Sequence, residues 1–231
     1  MIFEQLFDQK SSTYTYIIAS GEGREALIID PVIEHSDEYS TILKNLDLKL
    51  VKVIDTHIHA DHISALNELN KRTNCIRVMG EKSKSEVIDL RIKDGEKIKV
   101  EEVELQAIYT PGHTDCSYSF LMNDRVFTGD TLLINGSGRT DFQNGNAYDA
   151  YDSIFNKLLK LPEKTFVFPA HDYNGKKFST IENEKNNNPR LQVSSKEEYA
   201  DIMNNLNLAN PKMMDVAVPA NVKGLTLDNI N

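Results

Sequence analysis

A chain of 231 residues with 40% apolar and 26% charged side chains has the balance of a globular protein, long enough to bury a core without disulfide staples. Its 26 basic residues against 35 acidic ones leave a net charge of −9, which argues against a surface built for nucleic acid or anionic lipid. No apolar run approaches the ~18 residues of a membrane span, and the acidic start lacks a secretory signal's basic and apolar regions. Two cysteines, Cys75 and Cys116, cannot make a disulfide framework, so a reducing compartment, the cytoplasm, is expected.

Short β-like runs at 14–19 and 26–29 open the chain. A helix is expected at 39–46, with Ile42, Leu43 and Leu46 at helical spacing, and an apolar strand follows at 50–54. A second helical pattern at 61–71 carries Ile63, Leu66 and Leu69, and strands follow at 76–79, 103–108, 118–121 and 125–127. Between them the mixed Lys and Glu run from Glu81 to Glu102 reads as a solvated face. A helix at 148–161 presents Tyr151, Ile154, Phe155, Leu158 and Leu159, before a strand at 165–168. Asn186-Asn187-Asn188 before Pro189 ends a helix, 195–206 reads as helical, and the tail after Pro211 as irregular. Two groups of strands with helices outside predict a two-sheet α/β layer structure. No linker divides the chain, so one domain is expected over 1–231, with a short helical or irregular extension from about 179.

The six histidines are His35, His57, His59, His62, His113 and His171, and all but His35 fall at a predicted strand end or in the turn after it. Such turns are where a rigid scaffold presents functional groups. Thr56-His57-Ile58-His59-Ala60-Asp61-His62 follows the strand at 50–54 and packs four imidazole or carboxylate groups into six residues. A lone His is usually a satisfied core residue; three with an Asp at this spacing point to a metal, because neutral imidazole and carboxylate suit Zn, Fe and Mn. Three further turns carry the same kinds of group: Thr110-Pro111-Gly112-His113, Thr128-Gly129-Asp130 and Pro169-Ala170-His171-Asp172-Tyr173. All seven ligands of a two-metal site are thereby available, and these residues alone leave the metal number open. His35 reads as a solvated helix-start residue, Cys75 as a small buried hydrophobe, and Cys116 as a core thiol.

The His-x-His-x-Asp-His run at 57–62, with His113, Asp130 and His171 following in order, resembles the metallo-β-lactamase superfamily. That resemblance implies an αββα four-layer sandwich with a metal cleft at one edge of the sheets. Two of its subgroups fit the length: glyoxalase-II-type thioester hydrolases with two metals, and persulfide dioxygenases. Gly138-Arg139-Thr140-Asp141-Phe142-Gln143 and Pro169-Ala170-His171-Asp172-Tyr173 look like the dioxygenases, as do Asn188-Pro189-Arg190-Leu191 and Ala217-Val218-Pro219-Ala220-Asn221. Ser137 and Asp115-Cys116 depart from residues common in those relatives and replace no candidate ligand. What the dioxygenase resemblance implies is one Fe(2+) per chain on His57, His113 and Asp130, a facial triad with open positions. His59, Asp61, His62 and His171 are then groups that orient the ligands, or, in the hydrolase alternative, ligands of a second metal. The implied reaction oxidises glutathione persulfide with O2 to sulfite and glutathione, in a homodimer with no membrane or nucleic-acid partner. Arg139 is the expected anchor for a substrate carboxylate, because its planar fork matches that group bidentately, and Tyr173 is a second candidate substrate contact.

Overall fold

The computed structural model describes residues 1–230. Strands β1 (Ile2–Asp8), β2 (Thr13–Ala19), β3 (Glu25–Ile29), β4 (Lys49–Ile54), β5 (Ile76–Gly80) and β6 (Leu90–Ile92) form one sheet in chain order. The second sheet runs β12 (Ser179–Thr180), β11 (Phe166–Pro169), β10 (Arg125–Gly129), β9 (Tyr118–Met122), β8 (Val103–Tyr109), β7 (Lys97–Val100). The first sheet begins antiparallel and turns parallel from β3 onward; the second is antiparallel except for the β10–β11 pair.

Strand periodicity divides each sheet's side chains between two cores. Ile18, Leu27 and Ile54 face Leu105, Phe120 and Phe127 in a layer between the sheets. Ile17, Ile28 and Val53 point the other way, onto α1 (Ser36–Asn45), α2 (Leu66–Thr73) and α6 (Met214–Lys223). Val126 and Val167 pack on α3 (Ala147–Phe155), α4 (Ile181–Asn187) and α5 (Lys196–Asn204). The order helix, sheet, sheet, helix is the four-layer sandwich expected.

The differences from the sequence reading have local causes. The Lys and Glu run at 81–102 holds β6 and β7, whose alternation buries Ile92, Ile98 and Val100 beneath a charged outer face. The helix expected from 61 starts at Leu66, because 61–65 is spent on a turn tied to other parts of the chain. The tail after Pro211 is not irregular: it forms α6 and α7 (Leu227–Ile230), and Ala217 and Ala220 pack against the first sheet's outer layer. β1 was invisible as a strand because its outer-edge side chains are only partly buried, so apolar and polar residues do not alternate cleanly. Among the described residues no helix is long and apolar enough to cross a membrane.

Candidate metal centre

Four strand ends converge at one edge of the sandwich. β3 ends at Ile29, and Asp30, with φ +50°, accepts hydrogen bonds from the Thr56 backbone N–H (2.7 Å) and hydroxyl (3.0 Å) just beyond β4. The Thr56 hydroxyl proton is thereby committed, so His57 Nδ1–H donates to that oxygen at 2.9 Å and its Nε2 lone pair is left for the site. His113, in the turn after β8, donates from Nδ1 to the Arg139 carbonyl at 2.7 Å, which again leaves Nε2 as acceptor. Asp130 follows Gly129 at the end of β10, and a Cβ at Gly129 would lie 2.6 Å from the Thr56 hydroxyl oxygen. Gly138 passes as close: its Cβ would meet the Asp130 carbonyl at 2.1 Å and the His113 ring at 2.9 Å. Only glycine lets these turns nest together.

His57, His113 and Asp130 each offer one ligand atom within 4.8 Å of the others, as do His59, Asp61 and His62. Burial holds His57 neutral, below the ordinary histidine pKa. Burial alone would protonate Asp130, yet His171, His113 and His57 around it hold the carboxyl well below the usual range. Two imidazoles whose Nδ1 atoms are engaged elsewhere, leaving Nε2 toward the cluster, and an ionised carboxylate fit a divalent transition metal.

His171 stands between two carboxylates, with Nδ1 2.6 Å from Asp130 and Nε2 2.8 Å from Asp61; the Thr13 hydroxyl is 3.0 Å from the same Nε2. His62 Nδ1 lies 2.9 Å from Asp61, and His59 Nε2 lies 3.2 Å from Asp30. Despite burial, which opposes it, Asp30 raises the His59 pKa to about 9, while burial pushes the nearby Asp55 up to about 7. Two buried ring nitrogens, His59 Nδ1 and His62 Nε2, have no hydrogen-bond partner among the described residues.

A cavity of about 810 Å³ opens onto His113, Asp130, Asp61, His62 and His171. Tyr173 lies on its rim, 71% exposed, with its ring stacked at 9° over His171. Arg139 also lines the cavity, but its guanidinium is engaged: Nε and Nη2 hold Asp141 at 2.7 and 2.8 Å, and Nη1 donates to the Ala209 carbonyl at 2.7 Å. Arg190 reaches the same space, donates to the Ser137 carbonyl, and has no carboxylate within salt-bridge reach among the described residues. His35 and both cysteines lie outside the cavity lining; His35 bridges Asp8 (2.9 Å) and Glu38 (2.8 Å) at the start of α1.

Two supporting residues escaped the sequence reading. Asp30 closes an apolar strand just as Asp130 does, a signal that was available. Asn221 on α6 donates to the His59 and His62 carbonyls, both at 2.9 Å, and accepts from the Ser64 N–H at 2.8 Å. Nothing in the sequence announces a contact across some 160 residues.

The Metallo-beta-lactamase superfamily profile matches residues 9–89 and 80–171. The chain is 42% identical over 226 residues to the Mus musculus protein named persulfide dioxygenase ETHE1, mitochondrial, covering 96% of this chain and 88% of that one. The crystal structure of ETHE1 from Myxococcus xanthus superposes with a TM-score of 0.94 at 49% identity, covering 96% of this chain and 98% of the other. Similarity to the hydroxyacylglutathione hydrolase of Dictyostelium discoideum is lower: 29% over 185 residues, 75% of this chain and 68% of that protein.

Proposed function

The chain belongs to the metallo-β-lactamase superfamily and, within it, to the persulfide dioxygenase family, and from that premise we propose that it oxidises glutathione persulfide with O2 and water to sulfite and glutathione, using one Fe(2+) on His57, His113 and Asp130. The observation that carries the metal assignment is the convergence of two lone-pair-bearing imidazoles and one carboxylate at the floor of a cavity. Bound there, ferrous iron would supply one-electron chemistry between a sulfur donor and dioxygen.

The chain's own residues do the rest. The Arg139 carbonyl and the Thr56 hydroxyl fix the two ring tautomers, so both imidazoles are pre-set to bind. His171 bonds one oxygen of each of Asp61 and Asp130 and so orients both carboxylates. Arg190, with no carboxylate in salt-bridge reach among the described residues, and Lys10 and Lys212 offer cationic contacts for substrate carboxylates on a wall that also carries Asp8 and Glu34. Tyr173, exposed at the rim, is a hydrogen-bonding contact for the same substrate. The enzyme is further proposed to be a single domain over 1–231, to work as a homodimer, and to act in the cytoplasm, where both buried cysteines stay reduced.

The unpartnered His59 Nδ1 and His62 Nε2, beside Asp61, are what a two-metal thioester hydrolase would use. Oxygen uptake with glutathione persulfide and metal analysis after anaerobic purification separate the two readings. About one iron per chain is expected, lost on replacing His57, His113 or Asp130 by Ala; His171→Ala should lower activity more than iron content. Two tightly held zinc ions with anaerobic thioester cleavage would overturn the assignment.

A further inference from the structure

Between α5 and α6 the chain crosses from the helix layer on the second sheet to the helix layer on the first, past the edge that holds the metal cluster. Leu208, Ala209, Asn210, Pro211, Lys212 and Met213 all line the cavity on this passage. They have no regular secondary structure, and Leu208 and Met213 stay 46% and 40% exposed. Beyond bonds among its own near neighbours, 207–213 is tied to the body, among the described residues, only by Arg139: Nη1 to the Ala209 carbonyl at 2.7 Å and Nη2 to the Leu208 carbonyl at 3.4 Å.

Arg139 is itself held rigidly. Asp141 takes two of its nitrogens as a fork, and its guanidinium carbon lies 4.3 Å over the Phe142 ring. A guanidinium so engaged offers a substrate carboxylate little, but it makes a firm pin for two backbone carbonyls. Meanwhile the Arg139 carbonyl accepts from His113, so one residue faces the metal cluster with its backbone and the outer wall with its side chain.

We propose that Arg139 is a positioning residue that fastens 207–213 as the outer wall of the cavity, and that this wall recognises the organic part of the persulfide. The inference rests on the function proposed above. Leu208, Pro211 and Met213 offer apolar contact and Asn210 and Lys212 polar ends, a mixture suited to a peptide-like thiol and of no use to an inorganic persulfide.

Limited trypsin digestion tests the pin without any turnover, since Lys212 lies inside the wall and cleavage there leaves a 1–212 fragment identifiable by mass. In Arg139→Ala that cut should speed up about tenfold while iron content is unchanged, because the backbone carbonyl facing His113 remains. KM should rise about tenfold, with kcat nearly kept, for glutathione persulfide, and by a smaller factor for an uncharged alkyl persulfide, which has no carboxylate for Lys212 but still meets the apolar wall. Asp141→Asn should reproduce both effects more weakly, by releasing the pin while leaving the Arg139 charge in place. Lys212 as protected as in the parent, or a loss confined to carboxylate-bearing substrates, would overturn the proposal. So would an Asp141→Asn enzyme that uses glutathione persulfide better, since a freed fork would then be the true substrate anchor. If the parent oxidises no persulfide at all, the proposed function falls while the digestion still decides what Arg139 holds.

Discussion

At the scale of single residues, the site is built by deciding which atom of each side chain stays free. The Thr56 hydroxyl and the Arg139 carbonyl each accept a hydrogen bond from an imidazole N–H, and the lone pair on the other ring nitrogen is the functional group. The same logic, away from the metal, gives a pH dependence. Ser11 and His35 bond Asp8 and hold its pKa below 3.8 although burial opposes this; Asp8 and Glu38 raise His35 above 6.5 although burial opposes that too. Asp8 therefore contributes stability above its unfolded pKa, lost as pH falls through its lower folded value. His35 contributes stability below its unfolded pKa, lost as pH rises through its higher folded value. The denaturant midpoint of the parent should exceed that of His35→Gln most between about pH 4 and 6.5, with the gap narrowing on either side. The same gap at pH 9 as at pH 5.5 would mean that His35 acts by packing, not charge.

At the scale of elements, strands deliver ligands and helices lock the turns that carry them. The strand ends were legible because a short apolar run followed by His or Asp marks the rim of a buried sheet. What locks those turns was not legible. Asn221 reaches from α6 to close the ligand turn with three hydrogen bonds, and its own helix reads poorly because Pro219 interrupts the pattern. Asn221→Ala should cost about 1–3 kcal/mol in denaturant unfolding and speed amide exchange across 57–64. Asn221→Asp keeps the acceptor for Ser64 and loses both donors, so it should fall near the Ala variant. Unchanged exchange in that turn would show that the ligands hold themselves.

At the scale of the whole molecule, three cores stacked between four layers keep both sheets in register, and the metal edge sits where their strand ends meet. The C-terminal helices belong to that framework. A chain ending at Pro211 loses two buried alanine methyls and the three Asn221 bonds, which alone are worth about 4–5 kcal/mol, together with the packing of Val218, Val222, Leu225 and Leu227, and should also lose its iron. Equilibrium unfolding and metal analysis of the shortened chain measure both. Full stability and full iron content in that chain would assign the helices no part in the site.

Strand patterning and strand-end chemistry by themselves determined a two-sheet α/β layer structure and the ligand types at its strand ends, while the four-layer order and the metal edge came from the family resemblance of the His-x-His-x-Asp-His run. The first two follow from local pattern: period-two apolar runs bury sheets, and imidazoles clustered in turns have no packing purpose. Tertiary structure alone decided what each side chain is bonded to. Arg139 looked free to grip a substrate, yet folding brings Asp141 and the 208–209 carbonyls to its fork. The tail looked irregular, yet it seats Asn221 on the ligand turn and walls the cavity. Asp141 is a near neighbour of Arg139, but the other partners lie about 70 to 160 residues apart, so no periodicity or spacing encodes them; only the packing of the four layers brings them within hydrogen-bonding distance.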